Sequence, residues 1–203
     1  MKPRNFRIYS LFPAFCILAI LTLTSFVNRS SKPESRCVTS KDNAGQYYRP
    51  NAPFRKSLLT KDAPLIMKIN VSGTVYTNCT TPLKDALIEV WQTDDNGEYD
   101  NNSKDYNYRA SIKTDANGKY SFETIIPGKY MVDEQYKPSH IHFRISSKNH
   151  QEIVTQIYFK DDPYLAFDPS ASQPDAAQRI LPIVEEKTGK HVVFDIYMAQ
   201  VEL

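Results

Sequence analysis

The chain has 203 residues, which is enough for one domain with short appendages. Its 25 Lys and Arg against 23 Asp and Glu give a net charge of +2, a balance that argues against a dedicated nucleic-acid-binding protein. Hydrophobic residues make up 41% of the sequence, which provides for a globular core and excludes a disordered chain. The 13 Tyr residues are many for this length and raise the question of whether tyrosine carries chemistry here.

The N-terminus has the pattern of a membrane-targeting segment. Lys2, Arg4 and Arg7 precede an apolar run over residues 8–27, and a run of this length can just cross a bilayer. The sequence therefore predicts a signal peptide or an uncleaved membrane anchor over residues 1–27, and it leaves the choice between the two open. In either case we expect the rest of the chain to be exported, to the periplasm or the cell exterior, or to be held outside the cytoplasm by the anchor.

Residues 28–64 separate the targeting segment from the body of the protein. They contain Ser, Lys, Arg, Pro and Asn with little hydrophobic periodicity, so we expect a stalk followed by an irregular N-terminal arm. Outside the cytoplasm, Cys37 and Cys79 can oxidise to a disulfide that joins this region to the body, and two free thiols are the alternative.

The body of the protein, residues 65–203, has the pattern of short β-strands. Apolar and polar residues alternate over several segments, as they do in half-buried strands, and turn signals at residues 94–97 and 115–118 separate some of them. Only residues 176–186 could hold a helix, and Pro182 limits its length. The sequence therefore predicts an all-β domain, a β-sandwich of short mixed or antiparallel strands. The strand candidates are residues 66–73, 86–91, 120–124, 140–145, 152–159 and 192–197.

The sharpest local signal is a pair of histidines two positions apart. On a strand, His140 and His142 share one face while Ile141 faces the other way, so the two imidazoles can converge on one metal ion. The spacing alone is weak evidence, because two histidines on a strand are also compatible with ordinary surface or core positions. There is no nearby Cys, and the closest acids are Asp133 and Glu134.

Two tyrosines directly follow turns, where they are expected at the rim of the sandwich. Tyr99 follows the turn at residues 96–97, and Tyr130 follows the turn at residues 127–128. A trivalent cation strongly favours the phenolate form of Tyr, and hard anionic oxygen together with imidazole suits iron better than the thiolate-binding metals. Without further context, each tyrosine is more simply interpreted as a rim or core aromatic.

A longer set of motifs resembles the intradiol ring-cleavage dioxygenases, the non-haem ferric enzymes that open catechols. The motifs extend from Gly73 to about Pro163 in the family's order, and together they are far more specific than the histidine pair. The chain leaves no room for the long helical N-terminal domain of the catechol 1,2-dioxygenases, so we expect the short, protocatechuate 3,4-dioxygenase-like or exported branch. The motifs include Pro82-Leu83-Lys84-Asp85-Ala86, Asp95-Asn96-Gly97-Glu98-Tyr99, Pro127-Gly128-Lys129-Tyr130, Pro138-Ser139-His140-Ile141-His142 and Thr155-Gln156-Ile157-Tyr158.

The resemblance implies a site for Fe(3+) held by two tyrosines and two histidines. These ligands correspond to Tyr99, Tyr130, His140 and His142. In the family the second tyrosine is displaced when the substrate binds, and this role falls to Tyr130. The family's fold is a β-sandwich with a loop-built metal site, in agreement with the strands predicted above.

Other residues match family positions around the pocket. Lys137 stands where the family usually has Arg, and it keeps the positive charge for stabilising the substrate but loses the planar fork; a Lys137 that points to solvent is the alternative. Gln156 matches a family glutamine near the iron. Arg109 is a candidate pocket cation or a member of a surface salt bridge. Tyr47 lies in the motif Ala44-Gly45-Gln46-Tyr47, which is similar to the family's arm that borders the pocket.

The resemblance implies an enzyme that uses O2 to cleave a catechol-type ring between its two hydroxyl-bearing carbons, giving a muconate-type diacid. Its partners would be a small aromatic diol and O2, without nucleic acid, and the membrane through residues 8–27 if that segment is uncleaved; the chain is compatible with a homo-oligomer. One alternative is a non-catalytic prealbumin-like β-sandwich binding module at the cell surface, which needs no iron. Another is an exported structural or adhesion domain without a pocket. The four intact ligands favour the enzyme.

Overall fold

The computed structural model describes residues 37–201. The predicted targeting segment and its boundary at residue 27 lie outside them, and within them no helix is long and apolar enough to cross a membrane. Short 3-10 helices occur at Leu65–Met67, Leu165–Phe167 and Pro174–Arg179. The strands are β1 (Lys68–Thr77), β2 (Thr81–Pro82), β3 (Leu87–Trp91), β4 (Arg109–Lys113), β5 (Lys119–Ile125), β6 (Tyr130–Val132), β7 (Gln135–Lys137), β8 (His140–Ser146), β9 (Ile153–Phe159), β10 (Ile180–Leu181), β11 (Val184–Glu186), β12 (Gly189–Val193) and β13 (Ile196–Met198).

The strands form two main sheets and one hairpin. In the first sheet β1 is central: it pairs in parallel with β12 and β13 and antiparallel with β2 and β5, and β11 extends the sheet beyond β12. The second sheet has the order β10-β9-β8-β3-β4 and is antiparallel except between β10 and β9. Strands β6 and β7 form a separate two-stranded hairpin. The structure thus confirms the predicted all-β class with mixed strand pairing.

Apolar side chains from the two sheets meet in one core, so the sheets form a sandwich. On β1, Ile69 and Val71 point into this core, and on β8 Ile141 and Phe143 do so from the other side. Full burial of such a side chain contributes roughly 1.5–3 kcal/mol. Since side chains alternate along a strand, the residues that flank Ile141 face away from the core and onto the outer face of the second sheet.

The N-terminal arm is described from residue 37 to residue 64, and its residues 42–54 cross that outer face as a third layer. Its backbone is irregular, as predicted, and it packs on the sheet. Because the arm covers the outer face, most residues of β8 are buried on both sides of the sheet. The arm contacts the strands of this sheet one after another. The Asp42 N–H donates to the Val154 carbonyl on β9 (2.8 Å), and Gly45 lies beside the His142 ring on β8. Further along, the Tyr48 ring lies 5.1 Å from that of Trp91 on β3, and Phe54 forms a β-bridge with Ser111 on β4.

Several elements differ from the sequence prediction. The strand expected at residues 192–197 is two strands, β12 and β13, which pair with β1 in the same parallel register. They are interrupted at Asp195, whose side-chain Oδ1 accepts the Thr74 N–H of β1. The helix expected at residues 176–186 is a short 3-10 turn followed by β10 and β11, and Pro182 lies between those two strands. Strand β4 was not predicted. Its sequence alternates between polar and apolar residues, but Arg109 and Ser111 are buried as well as Ala110 and Ile112, because they bond to the N-terminal arm.

A disulfide ties the start of the arm to the first sheet. Cys37 and Cys79 are bonded, with Cα atoms 5.1 Å apart and a sequence separation of 42. Cys79 lies between β1 and β2. The bond therefore holds the arm at the point where it begins to cross the sandwich.

The thiol content of the exported protein tests this disulfide. Because Cys16 is the third of the three cysteines, titration of the denatured protein without reductant should find at most one thiol per chain. A Cys16→Ser variant should show no thiol before reduction and two afterwards. Two reactive thiols in that variant without reductant would contradict the bond.

Candidate metal centre

Strand β8 places two imidazoles at one point. His140 and His142 are each 2% exposed, and the Nε2 atom of each lies 3.1 Å from the phenolic oxygen of Tyr99. The centroids of the two imidazole rings are 4.8 Å apart and the rings are nearly perpendicular, at 80°. The structure therefore brings together three of the four side chains that the sequence assigned to the metal.

Both imidazoles are neutral, and Nε2 of His140 carries no proton. Nδ1 of His140 lies 2.7 Å from the Pro138 carbonyl oxygen, which can only accept, so Nδ1 carries the proton and Nε2 carries the lone pair. Burial, followed by the charge of Lys137, lowers the pKa of His140 to about 4. Burial and the neighbouring His140 lower the pKa of His142 well below its usual value. A neutral imidazole can bind a metal ion through its free nitrogen.

Two tyrosines from different segments meet beside the histidines. Tyr99 lies in the loop between β3 and β4, and Tyr130 is the first residue of β6. The centroid of the Tyr130 ring is 5.8 Å from those of both Tyr99 and His140. Burial raises the pKa of Tyr130 to about 12 and raises the pKa of Tyr99 still further above its usual value. Both groups are therefore phenols in the absence of a cation, and a trivalent ion would favour their phenolates.

Glycines allow the two tyrosine-bearing segments to touch backbone to backbone. A Cβ atom at Gly128 would collide with the backbone of Gly97, and one at Gly97 would collide with the carbonyl of Lys129. Gly97 also has a φ of +87°, in the left-handed region that favours glycine. Each glycine lies two residues before a tyrosine, so this contact brings Tyr99 and Tyr130 to the same point.

Replacing Gly128 by Ala should push these segments apart. Overpacking of this kind typically costs about 1–3 kcal/mol, so we expect the free energy of unfolding to fall by that amount. Iron affinity should fall with it, because Tyr99 and Tyr130 would no longer face the same point. Urea unfolding and metal analysis of the purified variant measure both effects. A variant with normal stability and iron content would show that the glycine contact does not set the position of the tyrosines.

The donor set fits a ferric ion. Within residues 37–201 no group of three or more His, Cys, Asp or Glu side chains is placed to hold a metal, so the candidate ligands here are two imidazoles and two phenols. Phenolate oxygen is a hard donor, and with imidazole it suits iron. The prediction that loops build the metal site is wrong for three of its four residues. His140 and His142 stand on β8 and Tyr130 begins β6, which leaves only Tyr99 on a loop.

A cavity of about 880 Å³ opens beside this centre. Tyr47, Tyr130, His142 and Gln156 contribute to its wall, and the Tyr47 ring stacks on that of Tyr99 with 4.3 Å between centroids. Gln156 donates from Nε2 to the carbonyl of a residue on the arm at 3.1 Å, while its buried Oε1 has no hydrogen-bond partner among the described residues. The arm therefore forms one wall of the cavity, and Tyr47 borders it as the sequence predicts.

Lys137 also lines the cavity, but its charge is already paired. Its Nζ lies 2.8 Å from Oδ2 of Asp168, whose side chain is 3% exposed. Burial acts to raise the pKa of Asp168, but hydrogen bonds from Lys137 and from the N–H groups of Ala171 and Ser170 outweigh it and hold the pKa below its usual value. Sequence reasoning missed Asp168, because the pairing depends on how the segment after β9 folds back.

Arg109 supports the arm and does not face the cavity. It is 1% exposed, and its guanidinium donates to the backbone carbonyls of Asp100 (2.8 Å) and Tyr47 (2.6 Å). It is not among the residues that line the cavity. Its remaining nitrogen, Nη2, donates to the side-chain oxygen of Asn101 at 3.3 Å. The prediction of a pocket cation or a surface salt bridge is therefore corrected: Arg109 is buried and fixes the backbone of Tyr47.

Comparison with known protein sequences identifies the family. A family model described as "Dioxygenase" matches residues 44–199. Catechol 1,2-dioxygenase of Candida albicans (strain SC5314 / ATCC MYA-2876) is 30% identical over 169 residues, which cover 73% of this chain and 55% of the Candida protein. The protocatechuate 3,4-dioxygenase beta chain of Burkholderia cepacia is 37% identical over 138 residues, 59% of each chain. The chain thus spans little more than half the length of these two relatives.

Solved structures share the fold. The dioxygenase domain of a dioxygenase–carbohydrate-binding fusion from Streptomyces sp. SirexAA-E has a TM-score of 0.69 and 27% identity, covering 81% of this chain and 99% of that domain. 3-Chlorocatechol 1,2-dioxygenase of Rhodococcus opacus 1CP has a TM-score of 0.71 over 80% of this chain and 72% of its own, and at 23% identity it supports the fold alone. Since the family model covers most of the two sheets and the site described above, the chain belongs to the intradiol ring-cleavage dioxygenase family.

Proposed function

We propose that the protein is a non-haem Fe(III) dioxygenase that opens a catechol-type ring between its two hydroxyl-bearing carbons with O2, giving a muconate-type diacid. The observation that carries this proposal is the convergence of two neutral imidazoles on the Tyr99 oxygen, with both Nε2 distances 3.1 Å, beside a cavity. Tyr99, Tyr130, His140 and His142 would hold the ion. A bound ferric ion supplies Lewis-acid chemistry and a template that orients the catechol.

The residues around the cavity have distinct parts in this proposal. Tyr130 stands at the cavity wall with its ring 5.8 Å from that of His140. In the phenolate form that a bound ferric ion would favour, its oxygen could accept a proton from a catechol hydroxyl. Tyr47, stacked on Tyr99, offers an aromatic face to the substrate ring. Gln156 keeps a free amide oxygen that can accept a hydrogen bond from a substrate hydroxyl or water.

We also propose that this reaction takes place outside the cytoplasm. The bonded pair Cys37–Cys79 supports the proposal, because disulfides persist in oxidising compartments. Residues 8–27 would act as the export signal or, if uncleaved, as an anchor in the membrane. Fractionation of cells that produce the tagged full chain tests this directly: recovery of the domain in the cytosol would contradict it.

The activity is tested with the purified, iron-loaded chain. We expect about one iron per chain, a visible absorption band that gives the protein a red-brown colour, and uptake of O2 with catechol that yields a ring-opened diacid. Colourless, iron-free protein after reconstitution would favour a non-catalytic β-sandwich binding module. Coloured protein that takes up no O2 with any catechol would reject the enzymatic proposal but keep the metal site.

The Tyr99→Phe variant tests whether the phenolic oxygen of Tyr99 is a ligand of the iron. Because the visible band of a phenolate–ferric pair needs the tyrosine oxygen, we expect the band to shift or bleach in this variant. Tyr76→Phe is the matched control, since Tyr76 stacks on Tyr197 in the first sheet, away from the cavity. Absorption spectra of both variants at equal iron content make the comparison. An unchanged band in Tyr99→Phe would remove Tyr99 from the ligand set.

A further inference from the structure

The charges at the cavity bear on which catechols it can accept. Among the described residues that line it, the charged Lys, Arg, Asp and Glu side chains are Lys137, Asp133 and Asp168. The wall therefore carries more negative than positive charge. A substrate with a carboxylate on its ring would bring a further negative charge into this space.

The charge of Lys137 is already compensated before such a carboxylate arrives. Its ammonium is held by Asp168 at 2.8 Å, and Asp168 is nearly fully buried. The other Asp168 oxygen, Oδ1, accepts the N–H groups of Ser170 (2.9 Å) and Ala171 (2.7 Å), so the carboxylate is fixed in place. If Lys137 turned towards a substrate, it would leave a buried carboxylate without its counter-ion, which is strongly unfavourable.

Neighbouring cations in the described part of the chain are engaged as well. Arg109 donates to the backbone of Asp100 and Tyr47 and lies outside the cavity wall. Lys129 is 3.4 Å from Asp162, and Arg179 is buried against Asp42. None of these groups is placed to stand in for Lys137 as the partner of a substrate carboxylate.

The outer wall of the cavity is apolar. The hairpin of β6 and β7 contributes Met131, Val132 and Tyr136, and the 3-10 helix Leu165–Phe167 contributes Phe167. These side chains are 57%, 47%, 44% and 63% exposed, in that order, although they are large and hydrophobic. A volume of about 880 Å³ also exceeds what a single six-membered ring fills. Apolar substituents on the ring could cover these exposed side chains and gain from their burial.

We propose that the cavity selects catechols with a neutral, apolar ring substituent over catechol carboxylates, and that Asp168 sets this preference by neutralising Lys137. The proposal rests on the dioxygenase activity proposed above and names its substrate class. Asp168 acts here as a specificity-determining residue, because it decides whether the one cation of the cavity wall in the described residues is available to the substrate.

A matched pair of substrates tests the selection. Methyl 3,4-dihydroxybenzoate and 3,4-dihydroxybenzoate differ mainly in charge, and O2 uptake by the iron-loaded full chain gives kcat/KM for each at neutral pH. We expect the ester to exceed the acid by roughly tenfold or more, because juxtaposed like charges are costly. An acid that is used as well as the ester would overturn the selection while the dioxygenase activity stands. Failure to cleave ester, acid and unsubstituted catechol alike would overturn the activity and the selection together.

Two variants test the role of Asp168. Asp168→Asn keeps an oxygen for the Ser170 and Ala171 N–H groups but releases Lys137, so the ester-to-acid ratio should fall by roughly tenfold. Asp133→Asn is the matched control: it removes a negative charge from an exposed position in the β6–β7 turn without freeing Lys137, and the ratio should change by less than about threefold. Equal shifts in the two variants would overturn the assignment to Asp168.

A third variant changes Lys137, the other member of this ion pair. Its result does not depend on whether Asp168→Asn folds. Lys137→Gln leaves the Asp168 carboxylate without its counter-ion, so the cavity becomes more negative and the ester-to-acid ratio should rise above that of the wild type. Because the ratio compares two substrates in one variant, a general loss of turnover does not affect it. A ratio equal to the wild-type value would show that this ion pair has no part in specificity.

Discussion

Replacing His142 by Ala is expected to reduce the iron content from about one ion per chain to nearly none. The Nε2 atom of His142 and that of His140 each lie 3.1 Å from the Tyr99 oxygen, so the change removes one of four converging donors. Loss of residues that only support a metal ligand typically weakens binding 10- to 100-fold, and loss of the ligand itself should weaken it by more than about 100-fold. Metal analysis after reconstitution and desalting measures the effect without relying on turnover.

His191→Ala is the matched control for this experiment. His191 lies half-buried on β12 in the first sheet, where its ring is hydrogen-bonded to Thr188, and it does not line the cavity. Its removal should leave the iron content unchanged. If His142→Ala retains iron at the level of His191→Ala, the two-histidine site is rejected. If both variants lose iron, the loss reflects general destabilisation, and circular dichroism of the two proteins would show it.

The parts of the site that depend on neighbours in sequence could be predicted. His140 and His142 share a face because alternate residues of a strand point the same way, and this needs no knowledge of the rest of the fold. Tyr99 and Tyr130 could be singled out because each follows a turn signal that contains Gly. The resemblance then placed the four residues in one site, which neither the spacing nor the turns could do alone.

The surroundings of the site depend on contacts between distant segments, and these were not predicted. Trp91 stacks flat on His142, with ring centroids 4.8 Å apart and planes within 1°, because β3 and β8 pair with Trp91 opposite His142. No local pattern reveals that register. Asp168 escaped notice for the same reason, and Arg109 was assigned to the pocket because its charge was visible in the sequence while its backbone partners were not.

The path of the N-terminal arm over the second sheet also depends on contacts between distant segments. Its irregular backbone and the position of Tyr47 beside the pocket were expected, but the contacts of residues 42–54 with four strands of the second sheet were not. An irregular segment can be buried only if its backbone and charges find partners. Two buried arginines supply them: Arg109 donates to the Tyr47 carbonyl, and Arg179 is buried against Asp42.

Replacing Arg179 by Met is therefore expected to lower the free energy of unfolding by about 3–5 kcal/mol, the cost of leaving one member of a buried ion pair alone. Nη1 of Arg179 lies 2.5 Å from Oδ2 of Asp42, and the two side chains are 2% and 3% exposed. The same guanidinium donates to the hydroxyl of Ser40 (2.8 Å) and to the Gln156 carbonyl (3.1 Å). Urea unfolding of the full chain gives the measurement.

Lys84→Met provides the contrast for this prediction. Lys84 lies 3.8 Å from Asp85, and both side chains are about two-thirds exposed, at 64% and 68%. Loss of such a surface pair changes stability by at most about 1 kcal/mol. Equal stability of the Arg179→Met and Lys84→Met variants would contradict the buried pair.

Combining Arg179→Met with Asp42→Asn should recover part of the lost stability, because the buried carboxylate that lacks a partner is then neutral.

The double variant also distinguishes the effect of Arg179 on stability from its effect on the geometry of the metal site. Asp42 directly precedes Asn43, whose carbonyl accepts the hydrogen bond from Gln156, and Gly45 beyond it lies against His142. Since neither variant restores the bonds from Arg179 to Ser40 and Gln156, we expect iron to be lost at lower urea concentrations than in the wild type even where the fold is stable again. Iron retention equal to wild type in the double variant would mean that the arm covers the metal centre without needing Arg179 to hold it there.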